Sequence, residues 1–137
     1  MKLKYIALLT LFVFIFNCNS NNEIENSNLI IGEWTLLETI SGFGGTPQSY
    51  NIGDVTYHFN SDNTLEISSN ISEFESVNST YEIDEDCQFQ DCINGNIVGL
   101  LIIGMDETNF LITLDETNLK FGTNAFDGTD FIFERID

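Results

Sequence analysis

The stretch Leu29–Ile40, LIIGEWTLLETI, decides the fold of this chain. Most of its even positions hold an apolar residue or glycine: Ile30, Gly32, Trp34, Leu36 and Ile40. Several of its odd positions hold polar residues: Glu33, Thr35 and Thr39. Alternation with a period of two predicts a strand with one buried face. Because Trp34 is the only Trp and a Trp brings a large apolar surface, we expect the core to be built around it.

The composition of the rest of the chain favours an all-β domain. A length of 137 residues is enough for one small domain. Phe occurs 12 times and Pro once, while Gly, Asn, Ser and Thr separate short apolar segments. Such a chain is typical of short strands joined by tight turns. No apolar pattern with helical spacing follows the N-terminal segment.

The N-terminus has the pattern of an export signal. Lys2 and Lys4 precede the run Ile6–Phe16, which is apolar except for Thr10. The run is shorter than the roughly 20 residues that a membrane span needs. It matches the core of a secretory signal peptide, which we place at residues 1–17. The alternative is a buried N-terminal helix, which would ordinarily carry a polar face that this segment lacks.

The charge balance excludes nucleic acid as a partner. The formal net charge is −18, and Lys2 and Lys4 leave with the signal peptide. The mature chain then has 22 acids against Lys120 and Arg135, a net charge of −20. A surface this acidic repels phosphate groups. The simplest role of these acids is to solvate a small domain and prevent association at strand edges.

Glycine and aromatic residues share one loop. Residues 41–49 contain three glycines and Pro47, which a central strand would exclude. Phe43 and Tyr50 lie in or beside this loop. Phe43 either flanks a binding mouth or folds back as a lid on the core.

A hairpin follows. Val55, Tyr57 and Phe59 alternate with polar residues, Asn60–Asn63 supplies a turn, and Leu65 and Ile67 alternate again. His58, the only histidine, falls on the polar face, and we interpret it as a surface residue. Val77, Tyr81 and Ile83 predict the apolar face of the next strand.

Cys87 and Cys92 lie in an acidic loop and are five positions apart. In an oxidising compartment such a pair predicts a disulfide, which would stabilise so short a loop by roughly 2 kcal/mol. Two cysteines are too few for a structural zinc site. Calcium remains an alternative for the loop carboxylates, although their spacing matches no calcium loop: Asp84, Glu85, Asp86 and Asp91.

The C-terminal half predicts a β-meander. Ile97–Ile103 is a continuous apolar run, so either both faces of its strand are covered or a loop shields the outer face. A nine-residue repeat, DETNFLITL and then DETNLKF, starts at Asp106 and again at Asp115. Phe131-Ile-Phe-Glu-Arg-Ile136 predicts the last strand. Eight consecutive strands predict a small up-and-down antiparallel β-barrel.

The quoted motifs resemble two known patterns. Cys18, directly after the apolar run, resembles the lipidated cysteine of bacterial lipoproteins. Residues 29–137 resemble the lipocalin-like domain of small bacterial lipoproteins, in four segments: Gly32-Glu-Trp34, Phe59–Leu65, Thr80–Ile83 and Phe131–Arg135.

These resemblances imply a location and a barrel closure. They imply a lipid anchor at Cys18, a flexible tether over residues 18–28, and a place in the bacterial cell envelope, at the outer membrane. They also imply that Gly32, Trp34 and Arg135 close one end of the barrel, with Trp34 and Arg135 in contact. We expect a monomer that touches the membrane only through its anchor.

Two functions follow for such a barrel. The first is binding of a small apolar ligand, with an aromatic lining: Phe43, Tyr57, Phe59, Tyr81, Phe110, Phe121, Phe131 and Phe133. The second is a filled barrel that acts as an envelope scaffold or protein-interaction domain without a ligand. Acids are so frequent that paired carboxylates carry no signal for catalysis. We therefore expect no enzyme, catalytic residue, metal or cofactor.

Overall fold

The structure, a computed structural model, describes residues 26–42, 44–84, 99–104, 108–123 and 127–136. The prediction of an all-β fold is confirmed. Within these ranges, one helical turn precedes nine strands: α1 (Asn26–Leu29), β1 (Gly32–Ser41), β2 (Gln48–Ser49), β3 (Val55–Phe59), β4 (Thr64–Ser69), β5 (Val77–Asp84), β6 (Gly99–Ile103), β7 (Thr108–Leu114), β8 (Asn118–Gly122) and β9 (Thr129–Arg135).

The strands form one closed antiparallel barrel. From β3 to β9 each strand pairs with its sequence neighbours, and β1 pairs with both β3 and β9. The predicted eight-stranded up-and-down barrel is therefore confirmed. The additional strand β2 pairs with β1 at Glu38 and Thr39. The prediction of a loop over residues 41–49 is therefore wrong at Gln48 and Ser49, which form a two-residue strand along β1. In the described part of the chain, closure gives each of the eight barrel strands a partner on both sides, whereas β2 is paired on one side with β1.

The two ends of the barrel differ. The closed end holds the start of β1, the end of β9 and the β3–β4 turn, where Gly32 pairs with Phe59 and Trp34 with Arg135. The loop end holds the connection from β1 to β3 and the connection from β4 to β5. The chain joins the barrel through α1 at the closed end. The loop end therefore lies opposite the point where the N-terminal segment attaches.

The core fills the barrel with apolar side chains taken from alternate strand positions. All of the following are buried: Ile30, Trp34, Leu36, Val55, Tyr57, Phe59, Leu65, Tyr81, Leu101, Ile112, Leu114, Leu119, Phe121 and Phe133. Strand pairing places their neighbours on the outer wall, as the period of two predicts. His58 is exposed on that wall, as expected.

The alternation predicted for β1 is wrong at Thr35, which is fully buried although it was expected on the polar face, and again beyond Leu36. A register shift lies between Leu36 and Glu38 where β1 pairs with β9, so the strand gains one residue relative to its partner. An added residue exchanges the two faces of the strand from that point on. Thr39 is consequently buried, whereas Ile40 is only half-buried.

The turns follow the local sequence. Asn63 has a φ of 66°, which Asn tolerates better than most residues, in the predicted β3–β4 hairpin. Strands β7 and β8 pair as the nine-residue repeat predicts. Asp115 accepts hydrogen bonds from the backbone N–H groups of Thr117 (2.8 Å) and Asn118 (2.7 Å). This side-chain turn joins the two halves of the repeat.

Candidate functional site

The closed end is organised around one cation and one indole ring. The Arg135 guanidinium carbon lies 4.3 Å from the centroid of the Trp34 ring. Trp34 is fully buried, and its Nε1–H donates to the carbonyl of Ile30 at 2.7 Å. A guanidinium over a desolvated indole contributes about 2 kcal/mol. The contact that the resemblance implied between Trp34 and Arg135 is present.

Arg135 also ties three segments together. Its Nε donates to the carbonyl of Glu116 at 2.8 Å, its Nη1 to the carbonyl of Ile31 at 3.0 Å, and its Nη2 to the carbonyl of Leu29. The first carbonyl belongs to the β7–β8 turn, and the other two belong to the segment that precedes β1. The planar fork of an Arg can stack on a ring and donate to carbonyls at the same time. Arg135 therefore fixes the path by which the chain approaches the barrel.

Gly32 is required beside this guanidinium. Its φ is 134°, a backbone conformation that L side chains rarely adopt. A Cβ atom at this position would lie 2.5 Å from the Arg135 Nη1. The sequence motif Gly-x-Trp therefore has a steric basis here, because the glycine leaves the volume that Arg135 occupies.

The described residues predicted to line a ligand site lie in the barrel interior, and they contact one another. The Tyr57 and Phe133 ring centroids are 4.8 Å apart, and those of Phe121 and Phe133 are 5.0 Å apart. Phe110 and Phe131 each lie within 5.3 Å of Phe121 and are half-buried. Side chains therefore occupy the region in which an apolar ligand was expected.

The two interior tyrosines are held in their neutral form. Burial raises the pKa of Tyr57 to about 12. Burial and, secondarily, the negative charge of Asp62 raise the pKa of Tyr81. The Tyr81 hydroxyl donates to the carbonyl of Asn60 at 2.9 Å, and its ring lies edge-on to Phe59 at 5.0 Å. Tyr81 thus joins the interior to the β3–β4 turn.

Two aromatic residues from loops cover the loop end. Tyr50 follows β2, and Phe74 lies between β4 and β5; their ring centroids are 5.5 Å apart, edge to face. The Tyr50 hydroxyl lies 3.2 Å from the hydroxyl of Thr39, which the β1 bulge turns inward. The sequence pattern singles out Tyr50 and assigns no role to Phe74. The sequence nevertheless holds an indication that Phe74 is buried, because Ile71 and Phe74 are the apolar residues of an otherwise polar connection.

An open depression of about 500 Å³ lies on the outer wall, away from the aromatic interior. It is lined by residues of β4 and β5 and by Gly104, most of which are polar residue types: Thr64, Leu65, Glu66, Asn78, Ser79, Thr80 and Gly104. Thr64 pairs with Thr80 and Glu66 with Asn78, which places these four side chains on the outer face. The depression is therefore separate from the aromatic residues that were predicted to line a ligand site.

Several predicted positions lie outside the described residues: Cys18, Phe43, Cys87, Cys92, and Glu85, Asp86 and Asp91 of the acidic loop. The signal peptide and most of the tether lie outside them as well. The lipid anchor, the disulfide and the calcium alternative therefore stay predictions.

Val77 was expected on the apolar face of β5, but its side chain is 48% exposed.

Among the described residues, no helix has the length and apolar character to cross a bilayer. In the same part of the chain, no group of three or more His, Cys, Asp or Glu side chains is arranged to hold a metal ion. No family model, curated protein or solved structure matches this chain.

Proposed function

We propose that this protein is an exported, lipid-anchored lipoprotein whose filled, lipocalin-like barrel acts as a scaffold or protein-interaction domain in the bacterial cell envelope. The proposal includes no enzymatic activity and no cofactor. The observation that carries it is the aromatic packing of the interior, in which Tyr57, Phe59, Phe121 and Phe133 are all buried and their rings contact one another. A barrel whose interior is occupied by its own side chains presents its loops and outer wall to partners.

Three features support the lipocalin-like part of the proposal. Gly32 admits the Arg135 guanidinium, Trp34 stacks against it, and eight strands close in sequence order. This is the arrangement that the resemblance implied.

The position of the N-terminal segment supports the anchor. Cys18 directly follows an apolar run with a basic start. Only a short polar segment separates it from α1 at the closed end.

The anchor is tested by Cys18→Ala, which should release the protein from the membrane fraction and abolish incorporation of radiolabelled fatty acid. Asn22→Ala is the matched control in the same tether, and it should keep both properties. Unchanged partitioning and labelling of the Cys18→Ala protein would contradict the anchor.

Binding of a small apolar ligand is the second candidate function. Phe110 and Phe131 favour it, because both rings are half-buried and contact the buried ring of Phe121. A fluorescent fatty acid distinguishes the two candidates. With a filled barrel, we expect no saturable binding and no energy transfer from Trp34 to the probe. Stoichiometric binding that Phe131→Ala changes would establish the carrier function instead.

A further inference from the structure

In the part of the chain that the structure describes, two large apolar side chains are exposed, and both lie at the loop end. Ile52 is 68% exposed and Val77 is 48% exposed, and both lie where loops leave the barrel. Beside them in the same two connections are three half-buried apolar side chains that pack against the core: Tyr50, Ile71 and Phe74. We call these five residues the loop-end patch. Single exposed hydrophobics need no explanation, but apolar side chains grouped at one end of a domain are a candidate contact surface.

Hydrogen bonds hold the two connections of the patch in fixed positions. The Asn70 backbone N–H donates to the carbonyl of Asp54 at 2.8 Å, and the Asn70 side-chain amide donates to the carbonyl of Gly53 at 3.0 Å. Within the first connection, the Asp54 carboxylate accepts two hydrogen bonds from Asn51, both of 2.9 Å. A surface ordered before binding loses little conformational entropy when a partner docks.

The charges around the patch are negative. Glu73 and Glu75 are exposed on either side of Phe74, and Asp54 follows Ile52 by two positions. The two basic residues of the mature domain are occupied elsewhere. Lys120 forms an ion pair with Asp130 at 2.8 Å, and Arg135 lies at the closed end. A complementary partner therefore carries positive charge around an apolar contact.

Position and net charge select the class of partner. The patch lies at the opposite end of the barrel from the N-terminal segment, so an anchor at that segment leaves it facing away from the membrane. A second copy of the mature chain, residues 18–137, would bring a further net charge of −20 to the contact and is disfavoured by repulsion. Anionic lipid is disfavoured for the same reason.

We infer that the loop-end patch docks a protein segment that presents an apolar side chain flanked by Lys or Arg. This inference rests on the proposed interaction function and names its surface and its partner chemistry. Ile52 and Val77 supply the apolar contact, and Glu73 and Glu75 supply the charge that orients the basic residues.

Selection from a phage-displayed library of random peptides tests the inference. The bait is the purified full chain in a mild detergent, and phage that bind detergent micelles alone are removed first. Enriched peptides should combine apolar residues with Lys or Arg. Their synthetic forms should bind about tenfold more weakly to the Ile52→Ser/Val77→Thr protein, since two apolar contacts are lost. Both substituted side chains are exposed, so the melting temperature should change little.

A matched pair of charge variants locates the site. Glu73→Gln/Glu75→Gln should weaken binding and reduce its dependence on salt, whereas Glu66→Gln/Glu82→Gln removes two exposed carboxylates from the barrel wall and should change neither. The absence of any enriched peptide, enrichment of acidic peptides, or equal binding to the Ile52→Ser/Val77→Thr protein would overturn the inference. The inference would also be overturned if the wild-type protein forms a dimer or binds lipid vesicles and the Ile52→Ser/Val77→Thr protein does not. The patch would then contact a second copy of the chain or a membrane.

The peptide selection and the fatty-acid titration test the docking surface and the filled barrel separately. Saturable fatty-acid binding in the interior would overturn the filled-barrel function and leave peptide docking at the patch intact. A patch that binds no peptide, on a barrel that binds no fatty acid, would overturn only the docking surface.

Discussion

The guanidinium of Arg135 stacks on the ring of Trp34 at 4.3 Å and joins the last strand of the barrel to the first. The same two residues are paired in the β1–β9 register that closes the barrel. One side chain thus contributes to closure through its ring contact and through hydrogen bonds to three backbone carbonyls. Because these interactions meet at one residue, we expect substitutions there to affect the whole domain.

Arg135→Lys should destabilise the domain by about 2–4 kcal/mol, because an ammonium keeps the charge but loses the planar stack and part of the carbonyl bonding. The Trp34 emission should also change. Urea denaturation followed by fluorescence measures both effects. Lys120→Arg is the control, since Lys120 is an exposed partner of Asp130 and its replacement by another cation should be nearly neutral. An Arg135→Lys protein with unchanged stability and emission would contradict the role given to the stack.

Gly32→Ala should cost about 2 kcal/mol or more, because the new Cβ both requires a strained φ and displaces the Arg135 guanidinium. Gly53→Ala separates these two causes. Gly53 has a φ of 84°, and a Cβ there meets no atom within 4 Å. We therefore expect Gly53→Ala to show only the backbone cost, about 1–2 kcal/mol, and to leave the Trp34 emission unchanged. Equal effects of the two substitutions on stability and emission would show that the steric conflict with Arg135 is unimportant.

Tyr57→Phe should make the domain more resistant to alkali. The pKa of Tyr57 is raised from 10.0 to about 12 in the folded protein, so the unfolded chain loses this proton first as the pH rises. The contribution to stability is complete below pH 10 and is lost towards pH 12, by about 2–3 kcal/mol. Unfolding curves at a series of alkaline pH values should show a shallower decline for the Tyr57→Phe protein. Parallel declines for the two proteins would mean that Tyr57 ionises as easily when folded as when unfolded.

Asp115→Asn should reduce stability at neutral pH but not in acid. Hydrogen bonds from the backbone N–H groups of Thr117 and Asn118 hold the pKa of Asp115 below its ordinary value of 3.8. The unfolded chain therefore binds this proton first as the pH falls, and the stabilisation disappears as the pH passes through the folded pKa. The unfolding free energy of the wild type minus that of Asp115→Asn should shrink with acidity. Glu116→Gln, in the same turn, is the control for general relief of charge repulsion. If this difference in unfolding free energy stayed constant with pH, the lowered pKa of Asp115 in the folded protein would be contradicted.

Cys87 and Cys92 should be joined in the exported protein. A non-reduced digest should yield one cross-linked peptide species, and iodoacetamide should label neither cysteine until a reductant is added. Because the loop between them is short, reduction should lower stability by only roughly 2 kcal/mol. Two thiols that react without reduction would show that the pair is free.

Local sequence patterns determined the eight barrel strands and their order, although they missed the short added strand β2. The period-two alternation of Val55–Phe59 and the turn residues that follow predicted a hairpin, and the repeat starting at Asp115 predicted another pairing. Alternation also predicts that Arg135 shares a face with Phe131 and Phe133, whereas its contact with Trp34 was implied by the resemblance. The strands, turns and faces depend on neighbours in sequence, so one chain is enough to reveal them.

Only the tertiary structure decided which faces and which volumes were filled. The bulge in β1, which buries Thr39 in place of Ile40, depends on the register with β9, whose residues are about 90 positions away in sequence. Whether the barrel holds a ligand depends on the summed volume of side chains from eight strands, and no local pattern reports that sum. The contact of Tyr50 with Phe74 and the volume left at Gly32 for Arg135 likewise join segments that are distant in sequence. The sequence thus determined which residues face inward along most strands, and packing between distant strands decided what the inside of the barrel can hold.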